Sequence, residues 1–431
     1  MKVCVFGLWH LGSVTAACLA SKGIATVGLA ETATAAAALN AGKAPLYEPG
    51  LDALVEQGLR SGFLSFTSDP AVAVSAAELV WVAFDTPIDD HDVADTSFVL
   101  GRVRSIFPYL NDGSVVLLSS QLPVGSTALL ERDFSGVAEG RRVSFACSPE
   151  NLRLGDAIRV FTEPERIVIG IRDGEARRMI EPVLEPFCDA LLWIRVESAE
   201  MVKHALNSYL ATCVTFTNEI ASICEDVNAD MREVEIALRL DPRVGSKAYV
   251  RAGAAFGGGT LARDVQYLKA VALQQHVSIP MLTAVLESNE AHKEWVLRRL
   301  RKRLKSLAGK RVGVLGLAYK AGTDAIRRSS AIEIVTKLIA DGAEVAAFDP
   351  KVSILPEPLA SVVIMARSAD AVFAGSSAVI IATEWPQFRD LDFGRLVLAM
   401  SRRLLVDQNA FVVNAVTEIA DLECIVAGRG Q

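Results

Sequence analysis

Val3-Cys4-Val5-Phe6-Gly7-Leu8-Trp9-His10-Leu11-Gly12 is the stretch that decides the fold. Four consecutive apolar residues, two of them β-branched valines, read as a strand buried on both faces. Gly7 then offers a turn, and Ser13 to Lys22 continues as an Ala-rich helix closed by Gly23. Strand, glycine turn and helix in that order open a βαβ unit. Ala25 to Leu29 supplies the next strand, and Leu79–Ala83, Ser114–Leu118 and Val143–Ala146 supply others, with helical patterns between them. Such alternation predicts an α/β fold with a parallel sheet over residues 1–196.

The same grammar returns late in the chain. Arg311-Val312-Gly313-Val314-Leu315-Gly316 repeats strand and glycine, Glu344–Phe348 runs into Asp349-Pro350, and Ala378–Ala382 and Leu404–Asp407 are further strand runs. A second Rossmann-like domain is expected over 311–431. Between the two, strand signals vanish and helical periods dominate, notably Ala199–Val227 and Leu261–Leu304. Residues 197–304 are therefore expected to form an all-helical central domain whose long helix offers a dimer surface. The basic run from His292-Lys293 to Lys310-Arg311 reads as a solvated helix face.

With 431 residues, 51% hydrophobic and 22% charged, the chain has room for two or three cores. A net charge of −7 argues against nucleic acid as partner. Seven cysteines without a CxxC pair fit a reducing cytoplasm, and five histidines without ligand spacing give no reason to expect a metal. The apolar opening is interrupted by Gly7 and Gly12, so no membrane segment is expected.

Two separated segments carry the chemistry. Lys203 and Asn207 stand four apart in Glu200-Met201-Val202-Lys203-His204-Ala205-Leu206-Asn207, one helical turn that could aim a cation and an amide at one oxyanion. Phe256-Gly257-Gly258-Gly259-Thr260-Leu261-Ala262-Arg263-Asp264 has a triple glycine that lets a ligand approach the backbone. Together they resemble the nucleotide-sugar dehydrogenases of the UDP-glucose/GDP-mannose type, in the same order along essentially the whole chain. The resemblance implies an NAD-binding domain over 1–196, a dimerising helical domain over 197–304 and a UDP-binding domain over 311–431. It also implies oxidation of a sugar C6 alcohol by NAD.

The resemblance assigns Lys203, Asn207, Asp264 and Glu150 to catalysis. Thr260 stands where the family carries its nucleophilic cysteine. Cofactor positions fall on Gly7, Trp9, Leu11, Gly12, Glu31, Thr86, Gln121, Arg263 and Arg327. Substrate positions fall on Lys203, Arg243, Tyr249, Arg251, Phe256, Gly257 and Lys320, with Gly258 beside them.

Several of these depart from the pattern. Trp9 replaces the second glycine of the dinucleotide fingerprint, and its ring either swings away or fills the phosphate cleft. The expected acidic residue falls on Ala30, leaving Glu31 one position later to reach the ribose; no arginine is evident nearby for a 2′-phosphate. Arg327 reads equally as a surface arginine. Cys147 is the alternative thiol. Three functions remain open: a dehydrogenase slowed or halted after the first oxidation, a non-redox or cofactor-recycling enzyme on a nucleotide sugar, and a catalytically silent binding paralogue.

Overall fold

The computed structural model describes residues 1–87, 94–257 and 259–430. Gly258 of the glycine loop lies outside them. The chain divides into two compact units, Met1–Leu206 and Asn207–Gln431, with the division inside one long helix, Val196–Val227.

The first unit is built on an eight-stranded sheet. Its strands are β1 (Lys2–Phe6), β2 (Ala25–Leu29), β3 (Leu64–Thr67), β4 (Leu79–Val82), β5 (Val115–Leu118), β6 (Ser144–Cys147), β7 (Ile167–Gly170) and β8 (Leu191–Ile194). Their order is β3-β2-β1-β4-β5-β6-β7-β8. Alternation along each strand feeds two cores. Val3, Val5, Leu79 and Trp81 face one side, while Cys4, Phe6, Val80 and Val82 face the other. The sheet is thus covered on both faces, which is why its strands read as unbroken apolar runs. It departs from the all-parallel expectation at one place, where β6 meets β7 antiparallel through Cys147 and Gly170. The first helix runs His10–Ser21, three residues earlier than its alanine run suggests.

The second unit holds the six-stranded parallel sheet β11-β10-β9-β12-β13-β14. Its strands are β9 (Arg311–Leu315), β10 (Glu344–Phe348), β11 (Ile364–Met365), β12 (Ala378–Ile381), β13 (Leu404–Val406) and β14 (Glu423–Ile425). The helical period read over Leu261–Leu304 is three helices, Thr260–Gln274, Pro280–Lys293 and Trp295–Leu304. Pro280 takes the first position of the second helix, where its missing N–H costs nothing. The basic run is not a merely solvated face. Arg299 pairs with buried Glu225, Arg301 with Asp341 at 2.6 Å and Arg303 with Glu423.

Asp349, at the end of β10, shows how the second sheet holds its loops. One carboxylate oxygen accepts from the N–H groups of Leu317 (2.7 Å) and Ala318 (3.0 Å) and from the Trp385 indole (3.0 Å). The other accepts from Lys351 and Val352 N–H at 2.8 and 3.0 Å. Burial alone would raise its pKa, but these donors favour the charged form and hold it below the usual carboxylate value. Asp349→Ala would strand all of these donors and is expected to lower unfolding free energy by about 3 kcal/mol in denaturant titration. Because the folded pKa is depressed, this contribution is present above the unfolded-state pKa and fades as pH falls towards the folded one. An unchanged midpoint at neutral pH would contradict this role.

Candidate active site

In the first unit the site grows from the β1 turn. Gly7 has φ +102°, and a Cβ there would lie 2.8 Å from the Phe84 ring and 2.9 Å from its backbone nitrogen. A Cβ on Gly12 would lie 1.9 Å from the Gly7 carbonyl oxygen. Both positions need glycine for close packing of turn, helix and β4. Trp9, just before the helix, is 53% exposed, so its ring swings outward. Leu11 is buried in the first turn of that helix.

The ribose end differs from expectation. Ala30 is buried at the end of β2, and Glu31 is turned to Arg102, 3.4 Å away. An arginine does therefore stand in this neighbourhood, contrary to the sequence reading. Arg102 comes from the helix Thr96–Ser105 and lies over the rings of Phe6 and Phe84. Its distance in sequence hid it.

Glu48 closes the turn from the other side. Its carboxylate accepts from Gly155 N–H (2.7 Å) and Ala157 N–H (2.9 Å) and bonds His10 Nε2 at 2.9 Å. Burial pushes its pKa up, but these partners outweigh that and keep it low. Thr86 Oγ1 donates to the Gln121 carbonyl at 2.7 Å, joining two expected cofactor positions.

Lys203 stands on the long helix, and its Nζ donates to the Glu150 carbonyl at 2.8 Å, with Glu150 Oε1 at 3.6 Å. One turn earlier, Glu200 accepts from Gly125 N–H (2.7 Å), Thr127 N–H (2.9 Å) and Thr127 Oγ1 (2.6 Å). That clamp fixes the helix on the β5–β6 side and so positions Lys203. Cys147 is buried, and burial, with Glu200 adding to it, pushes its thiol pKa far up. It cannot serve as a ready thiolate.

In the second unit, Asn207 Nδ2 donates to the Asp264 carboxylate, and both side chains are buried. Thr260 opens the helix Thr260–Gln274 one turn before Asp264 and is exposed. Arg263 is half-buried on the same turn. Asn289 brackets Phe256, accepting from its N–H and donating to its carbonyl, both at 2.9 Å.

A cleft of about 490 Å³ is lined by Gly257, Tyr319, Lys320, Arg328, Glu384 and Asn409. Arg251 reaches its rim, donating to the Asn409 carbonyl at 2.8 Å. Phe256, Gly257, Arg251 and Lys320 are thus drawn to one place. Arg243, 88% exposed and paired with Asp241, and exposed Tyr249 do not line the cleft. Arg327 is exposed on the turn before Ser330–Ala340. Arg328, missed by sequence reasoning, holds φ +64° and sits 3.2 Å from where a Gly259 Cβ would be.

Residues 1–188 match the NAD binding domain of the UDP-glucose/GDP-mannose dehydrogenase family, 197–291 its central domain and 313–414 its UDP binding domain. The chain belongs to this family. It is 35% identical to the UDP-glucose 6-dehydrogenase of Rhizobium meliloti over 94% of both chains. It is 34% identical to the GDP-mannose 6-dehydrogenase of Pseudomonas aeruginosa over 82% of both. A solved UDP-glucose dehydrogenase from Pyrobaculum islandicum superposes with a TM-score of 0.86 at 30% identity, covering 100% of this chain and 98% of the other. The Gly7 cradle and the amide end of the first helix fit the family's dinucleotide in shape. Trp9 and Ala30 depart from the dinucleotide fingerprint.

With Trp9 pointing outward, restoring the fingerprint is sterically open. Trp9→Gly combined with Ala30→Asp is expected to tighten NAD binding by about 1–2 kcal/mol, most of it from the new carboxylate. Calorimetry that finds no gain would mean that this crevice recognises the ribose by other groups.

Proposed function

We propose that the chain oxidises the C6 alcohol of a UDP-glucose-like nucleotide sugar and slows or stops before the acid. The observation that carries this reading is the buried Asn207–Asp264 pair one turn after Thr260. NAD, when bound, supplies the hydride acceptor. Lys203 and Asn207 offer a cation and an amide donor to the oxygen that becomes negative as the C6 hydrogen leaves. Asp264 holds Asn207 in the donating orientation, and Glu150 holds Lys203. The substrate's diphosphate is read as lying in the cleft with Lys320 and Gly257, its charge met by cations.

That first oxidation needs no covalent bond to the protein. The route to the acid through a thioester does, and it draws on a thiolate; a thiol has a pKa of about 8.5, whereas a threonine hydroxyl is far less acidic. Thr260 closes that route.

We read residues 1–196 as the cofactor domain, 197–304 as the dimerisation domain and 311–431 as the sugar-nucleotide domain of a cytoplasmic homodimer. Tyr209, Phe216, Ile223 and Val227 are exposed on one helix at spacings of seven, seven and four, a continuous apolar stripe. A second copy of the chain would bury it. Exposed Arg243 is read as reaching across to that copy's substrate.

Absorbance of reduced nicotinamide with a panel of nucleotide sugars tests the activity directly. Lys203→Met is expected to cost roughly 100- to 1,000-fold in kcat, and Thr260→Cys to raise sugar-acid formation. Absence of cofactor reduction by every sugar would move the non-redox and binding readings ahead. Ile223→Glu is expected to give monomers by light scattering; an unchanged dimer would place the interface elsewhere.

A further inference from the structure

The acidic residue that would read a ribose 2′-hydroxyl falls on Ala30, just past the end of β2, where a buried methyl group offers no acceptor. An arginine stands beside the same strand end. Arg102, on the helix Thr96–Ser105, places Nη2 3.4 Å from Glu31 Oε1. Its guanidinium lies over the rings of Phe6, the last residue of β1, and Phe84, just beyond β4, at 5.6 and 5.7 Å from their centroids. Those rings meet edge to face with centroids 4.7 Å apart, a firm seat for a planar cation. Arg102 Nε is buried without an acceptor among the described residues, so part of the donor capacity is unused. The ends of β1, β2 and β4 thus share one cation, at the reversal of strand order where an open α/β sheet takes its ligand.

We propose that Arg102 makes the ribose end of this crevice a site for a 2′-phosphate, so that the chain accepts NADP as well as NAD. The inference rests on the dinucleotide reading above and names what that site selects. An acidic side chain at the end of β2 would bind a 2′-hydroxyl and repel a phosphate, and alanine does neither. A guanidinium matches phosphate oxygens with two parallel donors. Glu31 is the competitor. The side chains of that ion pair are 33% and 49% exposed, and so exposed a pair holds weakly. A phosphate monoester, with a charge of about −1.5 to −2 at neutral pH, displaces a single carboxylate from it. The helix Ala33–Asn40 starts just after Glu31 and has no acidic residue in its first turn, so its N-terminus adds to the attraction. Thr32 accepts the Ala35 N–H at 3.1 Å and keeps its hydroxyl proton to donate.

Calorimetry on the full chain with adenosine 5′-monophosphate and adenosine 2′,5′-bisphosphate isolates the extra phosphate. The bisphosphate is expected to bind about tenfold more tightly, with the margin shrinking at high salt. Arg102→Met, which keeps an apolar stem over the two rings, is expected to erase that margin and leave the affinity for the monophosphate unchanged. Glu31→Gln, which releases Arg102, is expected to widen it. Ala30→Asp is expected to reverse it and leaves Arg102 in place should Arg102→Met disturb folding, with circular dichroism as the check on both. A natural protein that binds the bisphosphate no more tightly than the monophosphate overturns the proposal. So does a folded Arg102→Met that weakens both ligands equally, the result a purely structural arginine would give, or a margin untouched by either variant. If the margin follows Arg102 but no nucleotide sugar reduces either cofactor, the dehydrogenase reading fails while the 2′-phosphate site stands.

Discussion

Backbone N–H groups at the turns after strands must find acceptors, and in this chain buried or half-buried carboxylates supply them. Glu48 takes Gly155 and Ala157, Glu200 takes Gly125 and Thr127, Asp349 takes Leu317 and Ala318, and Asp407 takes Phe411 and Val412. The first three tie a loop to a distant element and Asp407 closes its own turn, all by charge-assisted bonds, which are about twice as strong as neutral ones. Two of the loops so fixed carry Glu150 and Lys320, and the Glu200 clamp seats the helix that carries Lys203.

This shared chemistry accounts for an uneven pattern of preservation. Two expected donor positions each have a partner within their own unit: Lys203 with Glu150, and Asn207 with Asp264. The dinucleotide crevice keeps the two glycines that packing demands, because a Cβ at either would collide with backbone. Trp9 and Ala30 stand where the fingerprint asks for a glycine and an acidic residue.

Much of the frame was legible in the sequence. Runs such as Val3–Phe6 and Arg311–Leu315 are buried on both faces, so their apolar content alone marks them as strands. Short edge strands such as Ile364–Met365 and the half-exposed Leu191–Ile194 carry too little apolar pattern to be read. The site was legible where the chemistry lies within one helical turn, as with Lys203 and Asn207. It was not legible where it depends on tertiary approach. Arg102 joins Glu31 across 71 positions, and Arg328 approaches Gly259 from the turn before Ser330–Ala340.

In the proposed reaction Thr260 is the residue on which the outcome turns, since hydride transfer and acyl transfer place different demands on that position. The number of reduced cofactor molecules formed for each nucleotide sugar consumed separates the two most directly. A ratio near one, with aldehyde as the product, is the result expected of a site that stabilises the first oxyanion but lacks a thiolate. A ratio near two, with sugar acid formed at ordinary enzyme rates, would contradict this and require water or another side chain to do what Thr260 cannot.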